Sequence, residues 1–187
     1  VLWEASQRGP LVVALARRAG LVLTETGLDH AEGSVEAIGM THGLEVEPVA
    51  LTGETLDAQL RLLPPGLVHV PDSGYLGILA VHGATARVLT PRRTVVRVPL
   101  STVREVLTAP LALRIRAEVA SLLDECAIPA RRRAQAVTAL AHEHLRQVRL
   151  GTAWQLRVPP GAPFGWQWCH AGLRRRLLTC LSAHLAA

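Results

Sequence analysis

"SGYLGILAVHGATARVLTP" (residues 73–91) holds two apolar runs, "YLGILAVH" and "ARVLT", on either side of "HGAT". Short β-branched and apolar runs split by turn-forming residues read as strands folded back on each other, so this stretch predicts an antiparallel hairpin. Working outward, "GLVHV" precedes it across "PDSG" and "TVVRV" follows it across "TPRR". From Gly66 onward the chain therefore predicts an antiparallel meander of about four strands, closed by a short helix at "LSTVREVL" with Ser101 as its N-cap.

Upstream the character is helical. "PLVVALARRAG" places Leu11, Ala14, Leu15 and Ala19 on one face, with Pro10 near its start and Gly20 at its end, the proline-in, glycine-out asymmetry of a helix. "GSVEAIGMTHG" predicts a second helix, capped by Ser34 and ended by Gly43, with Val35, Ile38 and His42 inward. "LEVEPVA" alternates as a strand does, and Leu56, Leu60 and Leu63 mark a short helix before Pro64 and Pro65. Helices followed by a block of strands define an α+β domain over residues 1–110.

Downstream, "RIRAEVASLLDECA" is a helix candidate, and "RRRAQAVTALAHEHLRQVRL" sets Val137, Leu140, Ala141, Leu145 and Val148 on one stripe with arginines opposite. "TAWQLRV" is a possible strand, and "PPGAPFG" breaks the chain before "WQWCHAGLRRRLLTCLSAHLAA". The expected division is a domain to residue 110, a helical linker or subdomain over 111–160, and an amphipathic helix over 161–187.

Composition bounds the function. The 187 residues suffice for one self-sufficient core, and 49% apolar with 19% charged residues is the balance of a folded chain. All 20 basic residues are arginine, which with the abundance of Ala, Leu, Val and Pro reads as a high-GC bacterial source. The +5 charge and the clusters Arg131–Arg133 and Arg174–Arg176 raise nucleic acid or an anionic lipid surface as partners. The few aromatics are not interleaved with the arginines as base-stacking modules require, which counts against nucleic acid. Cys126, Cys169 and Cys180 are odd in number and lack CxxC spacing, so neither a zinc site nor a disulfide framework is expected, and the compartment reads as reducing. No run of 18 apolar residues and no signal peptide is present, and the start at Val1 reads as a piece of a longer polypeptide.

Several chemistries lack their residues. No glycine-rich phosphate loop matches a dinucleotide or P-loop pattern, so no ATP site is expected in this segment. His142 and His144, two apart on a helix, stand about 200° around its axis and cannot share a metal. His30, His42, His69 and His82 are scattered over different elements. No G-x-S-x-G elbow exists, and Asp29, Asp57, Asp72 and Asp124 read as surface residues.

Taken in order, the first 108 residues resemble the bacteriocin-processing cysteine peptidase domain of bacterial ABC exporters, the family that cuts leader peptides after a double glycine. The resemblance rests on "LWEASQRGPLVVALARRAG", where Gly9, Pro10, the small-residue helix and Gly20 match, then the middle strand–helix segment, the hairpin and the closing "LSTVREVL". It implies a papain-like fold with N-terminal helices packed on an antiparallel sheet. The chemical positions depart from the family: Arg8 stands for the nucleophilic cysteine, Leu2 for the oxyanion-hole glutamine, and Tyr75 and Thr90 for the histidine and aspartate. A cysteine protease needs a thiolate, an imidazole base and an orienting carboxylate, whereas a guanidinium stays protonated and a phenol is a poor base at neutrality.

The resemblance therefore implies a non-catalytic variant, like that of haemolysin-type exporters, which holds an unfolded substrate rather than cutting it. Trp3, Arg8 and Tyr75 are then the candidates for docking a peptide. ATP and magnesium are expected only in a separate nucleotide-binding domain, and the full transporter as a homodimer with this domain on the cytoplasmic side of the bacterial inner membrane. Trp166 and Trp168, with Arg174, Arg175 and Arg176, are candidates for an elbow helix on the membrane surface. Two rival readings are a hydrolase using Ser6 or Cys126 as nucleophile, and a regulatory or assembly module binding another subunit.

Overall fold

The computed structural model describes residues 1–23, 33–126 and 129–159. After a single 3-10 turn at Ala5–Gln7, the elements run α1 (Arg8–Ala19), α2 (Val35–Thr41), β1 (Glu45–Thr52), α3 (Leu56–Leu62), β2 (Gly66–Val70), β3 (Gly74–His82), β4 (Thr85–Leu89), β5 (Val95–Pro99), α4 (Leu100–Asp124), α5 (Ala130–Gln147) and β6 (Arg149–Arg157). The fold is α+β, with one antiparallel six-stranded sheet in the order β1-β6-β2-β3-β4-β5.

Both faces of the sheet are covered. On one side α1 and α2 press Leu11, Leu15, Val35 and Ile38 against Leu67, Tyr75, Leu89 and Leu156. On the other, α3 and α4 bring Leu56, Leu60, Val103 and Leu107 onto Val68, Leu76, Ile78 and Val88. Burial on both faces explains why the central strands read as nearly continuous apolar runs rather than strict alternations.

The local signals land where the residues put them. Gly20 closes α1 in the left-handed conformation (φ 78°), returning its N–H to Arg17. Ser34 caps α2, its side-chain oxygen accepting from the Ala37 N–H, and His42 is buried. The meander β2 to β5 follows the predicted turns. Ala19 and Leu140 are exposed, however, so the stripes drawn for α1 and α5 are narrower than expected.

Two expectations are corrected. First, α4 is one helix of 25 residues running through Pro110, with Ser101 inside it rather than capping it. Proline removes one N–H from the ladder and leaves the carbonyl of Val106 without its intrahelical partner. Burial of Val103, Leu107 and Ile115 along one side of the helix offsets that loss.

Second, β6 does not lie in an appendage. It pairs with β1 along its length and with β2 through Gln155, Trp154 and Ala153, and so sits within the sheet. A boundary at residue 110 would fall inside α4, and 111–160 is joined to the sheet by β6 rather than standing as a helical subdomain. The expected amphipathic helix over 161–187 lies outside the described residues, and with it Trp166, Trp168, Arg174, Arg175 and Arg176. No helix among the described residues is long and apolar enough to cross a membrane.

Candidate functional site

The corner singled out by the sequence is assembled by the first residues of the chain. Trp3 forms an isolated antiparallel bridge with Tyr75, each N–H donating to the other's carbonyl at 2.8 Å. Gly74 makes this approach possible: its φ is 107°, and a Cβ there would lie 2.0 Å from the Trp3 carbonyl oxygen. The Trp3 indole Nε1–H donates to the Leu89 carbonyl at 2.8 Å, tying residues 86 apart in sequence. The reciprocal capping of Glu4 and Gln7 then turns the chain into α1, whose first residue is Arg8.

Arg8 lays its guanidinium carbon 5.8 Å from the Tyr75 ring centroid, within cation–π range, and its Nε is buried without a hydrogen-bond partner among the described residues. Tyr75 faces two more rings, His69 directly opposite on β2 at 5.2 Å and Trp154 of β6 at 6.1 Å. Thr90 follows Leu89 at the end of β4, where its hydroxyl is 2.8 Å from that of Thr94 and its N–H donates to the Thr94 carbonyl. Leu2 packs against the core cluster on the α3 and α4 side and offers no side-chain donor.

Residues 8 and 75 thus meet, and Thr90 stands one residue beyond the carbonyl that anchors Trp3. Of the three docking candidates, Trp3 (3% exposed) and Tyr75 (7%) are packed inside, and only Arg8 presents surface. Among the described residues no thiol, imidazole or carboxylate is bonded to this triplet. The hydrolase candidates stand elsewhere: Ser6 Oγ donates to the Glu4 carboxylate at 3.5 Å, and exposed Cys126 Sγ to the helical carbonyl of Leu122 at 3.4 Å. Neither bond is to an imidazole that could take the proton.

Trp154 and Glu36 belong to this neighbourhood and carried no sequence signal. The Trp154 Nε1–H donates to Glu36 Oε1 at 2.6 Å. Burial pushes the Glu36 carboxyl up, but its own backbone N–H, the Trp154 indole and Ser34 together hold it below the usual value of 4.5. A depressed folded-state value means that the carboxylate's contribution is present above the unfolded value and is lost as pH falls through the folded one. The stability difference between wild type and Glu36→Gln is therefore expected to be largest near neutrality and to shrink as pH falls below the usual carboxylate range. Urea titrations at several pH values read this; a difference independent of pH would refute it.

A second cleft, about 390 Å³, is lined by Glu54, Asp57, Arg104, His142 and Arg146. Its carboxylates are already engaged, Asp57 with Arg104 through both oxygens and Glu54 with Arg146 at 3.4 Å. No group of three or more metal-ligating side chains occurs among the described residues.

No family model and no curated protein matches the sequence. Among solved structures, the chain is similar to the N-terminal peptidase C39 like domain of the toxin secretion ATP-binding protein from Vibrio parahaemolyticus. That similarity has 12% identity and a TM-score of 0.40, covering 56% of this chain and 90% of that one. It is also similar to a double glycine motif protease from an AMS/PCAT transporter, solved with its leader peptide, at 15% identity and a TM-score of 0.35, covering 56% and 81% of the two chains.

Proposed function

We propose that this chain is a non-catalytic, peptidase-like domain of an ABC-type exporter, docking a peptide or unfolded protein for ATP-driven transport by domains outside this sequence. The observation that carries the reading is the corner itself. Three positions that the family motifs align with a catalytic triad are gathered around one hairpin, yet they are filled by Arg8, Tyr75 and Thr90. Cation, phenol and hydroxyl cannot supply a nucleophile, a neutral-pH base and its orienting carboxylate. Retaining the packing while lacking the chemistry fits a holding role, and Arg8, the one member of the docking trio that presents surface, is where a peptide would first be met. In this reading the domain works on the cytoplasmic side of the inner membrane, within a homodimeric transporter.

Incubation with a double-glycine leader peptide under reducing conditions is expected to give no product above a buffer blank, while Arg8→Ala weakens peptide binding measured by fluorescence anisotropy. Turnover abolished by Ser6→Ala or Cys126→Ala would instead establish the hydrolase reading. Reading the gene past Ala187 tests the exporter context: several spans of about 20 apolar residues followed by a P-loop support it, and a stop codon overturns it.

A further inference from the structure

Among the described residues β5 is an outer strand of the sheet, paired through β4 alone, and alternate N–H and C=O groups along it point away from the sheet. Beside it lies a concentration of positive charge. Arg87 of β4 and Arg97 of β5 stand directly opposite each other in the ladder. They share a sheet face with Leu89 and Val95, the face that packs on α1. Like charges so placed repel. On the same face Arg17, Arg18 and Arg93 line a cleft of about 260 Å³ whose floor includes Val13 and Leu89. All five arginines are exposed, and none forms an ion pair among the described residues. Arg17 and Arg18 also complement the negative end of α1, but Arg87 and Arg97 have no such account.

We propose that the β5 edge binds an acidic, extended peptide segment as an added strand, with carboxylates at alternate positions falling beside Arg97, in the field of Arg87 one strand further in and of Arg93 at the turn. The backbone edge supplies the ladder hydrogen bonds, and the arginine face selects for negative side chains on one side of the added strand. A strand satisfies both features at once, whereas a lipid headgroup satisfies the charge alone. The inference rests on the reading of the domain as a peptide-docking module and gives that module a place and a ligand class.

The test uses the whole chain and a labelled peptide of about ten residues alternating Glu and Val. A second peptide carries backbone N-methyl groups on one edge, and a third replaces Glu by Thr. Anisotropy is expected to show binding of the first that weakens as salt rises from about 0.05 M to about 0.5 M. Arg97→Glu should weaken it about tenfold or more. The same substitution exchanges a repulsive cross-strand pair for an attractive one, so its thermal midpoint should be unchanged or raised, which separates lost binding from lost fold. N-methylation should cost a comparable factor. Equal binding of the methylated peptide, an unchanged affinity in Arg97→Glu, or arginine-dependent attachment to phosphatidylserine vesicles without peptide binding would each overturn the proposal. If the Thr peptide binds in an Arg8-dependent way while Arg97→Glu changes nothing, the docking function stands and the β5 site falls. If no peptide binds, both fall.

Discussion

Trp3→Ala is expected to lower the free energy of unfolding by about 3–5 kcal/mol, the range for deleting a buried large aromatic side chain. The indole is 3% exposed and packed within the cluster formed by α1, α2 and the sheet. Its removal leaves a cavity and strips the Leu89 carbonyl of the Nε1–H bond at 2.8 Å. Because the bridge to Tyr75 holds the first turn in register, the same substitution should also release Arg8 from its stacking position. Trp3→Phe separates these effects: it keeps most of the volume and loses the hydrogen bond, at a cost of about 1 kcal/mol. Urea unfolding followed by circular dichroism measures both. A loss below about 1 kcal/mol for Trp3→Ala would mean that the N-terminal segment does not hold the corner together.

Gly74→Ala is expected to cost about 3 kcal/mol, for a different reason. Its φ of 107° is unfavourable for a side chain, and the new Cβ would meet the Trp3 carbonyl oxygen at 2.0 Å, a backbone atom that cannot swing away. Gly83 in the turn between β3 and β4 serves as the control, since its φ is 58° and nothing lies within 4 Å of a Cβ there. Gly83→Ala pays the conformational strain alone, about 1 kcal/mol. If the two substitutions cost the same, the close passage of the N-terminal segment over Gly74 is not what glycine permits there.

Much of the architecture was legible locally. Pro10 and Gly20 bracket α1, Ser34 caps α2, and "PDSG", "HGAT" and "TPRR" cut the meander into strands, because turn and cap chemistry acts over three or four residues. The juxtaposition of His69 and Tyr75 was within reach too, since a tight turn between β2 and β3 fixes which residues face each other. The run through Pro110 was not legible. The local signal for a break was sound, and burial of Val103, Leu107 and Ile115 overrode it.

Trp154 and Glu36 mark the limit most clearly. They are 118 residues apart, on a strand and on a helix with no shared motif, and only the insertion of β6 beside β2 brings the indole to the carboxylate. The same insertion gathers the last described strand into the sheet and turns a boundary expected at residue 110 into the interior of a helix. By itself the amino-acid sequence determined the α+β class, the helices and strands from α1 to β5, and the identity of the side chains at the Arg8, Tyr75 and Thr90 corner. The places of β1 and β6 in the sheet, which residues are buried at that corner, and which arginines lack an ion pair among the described residues were decided only by tertiary packing, because pairing between distant segments is selected by the burial of both sheet faces at once rather than by any local preference.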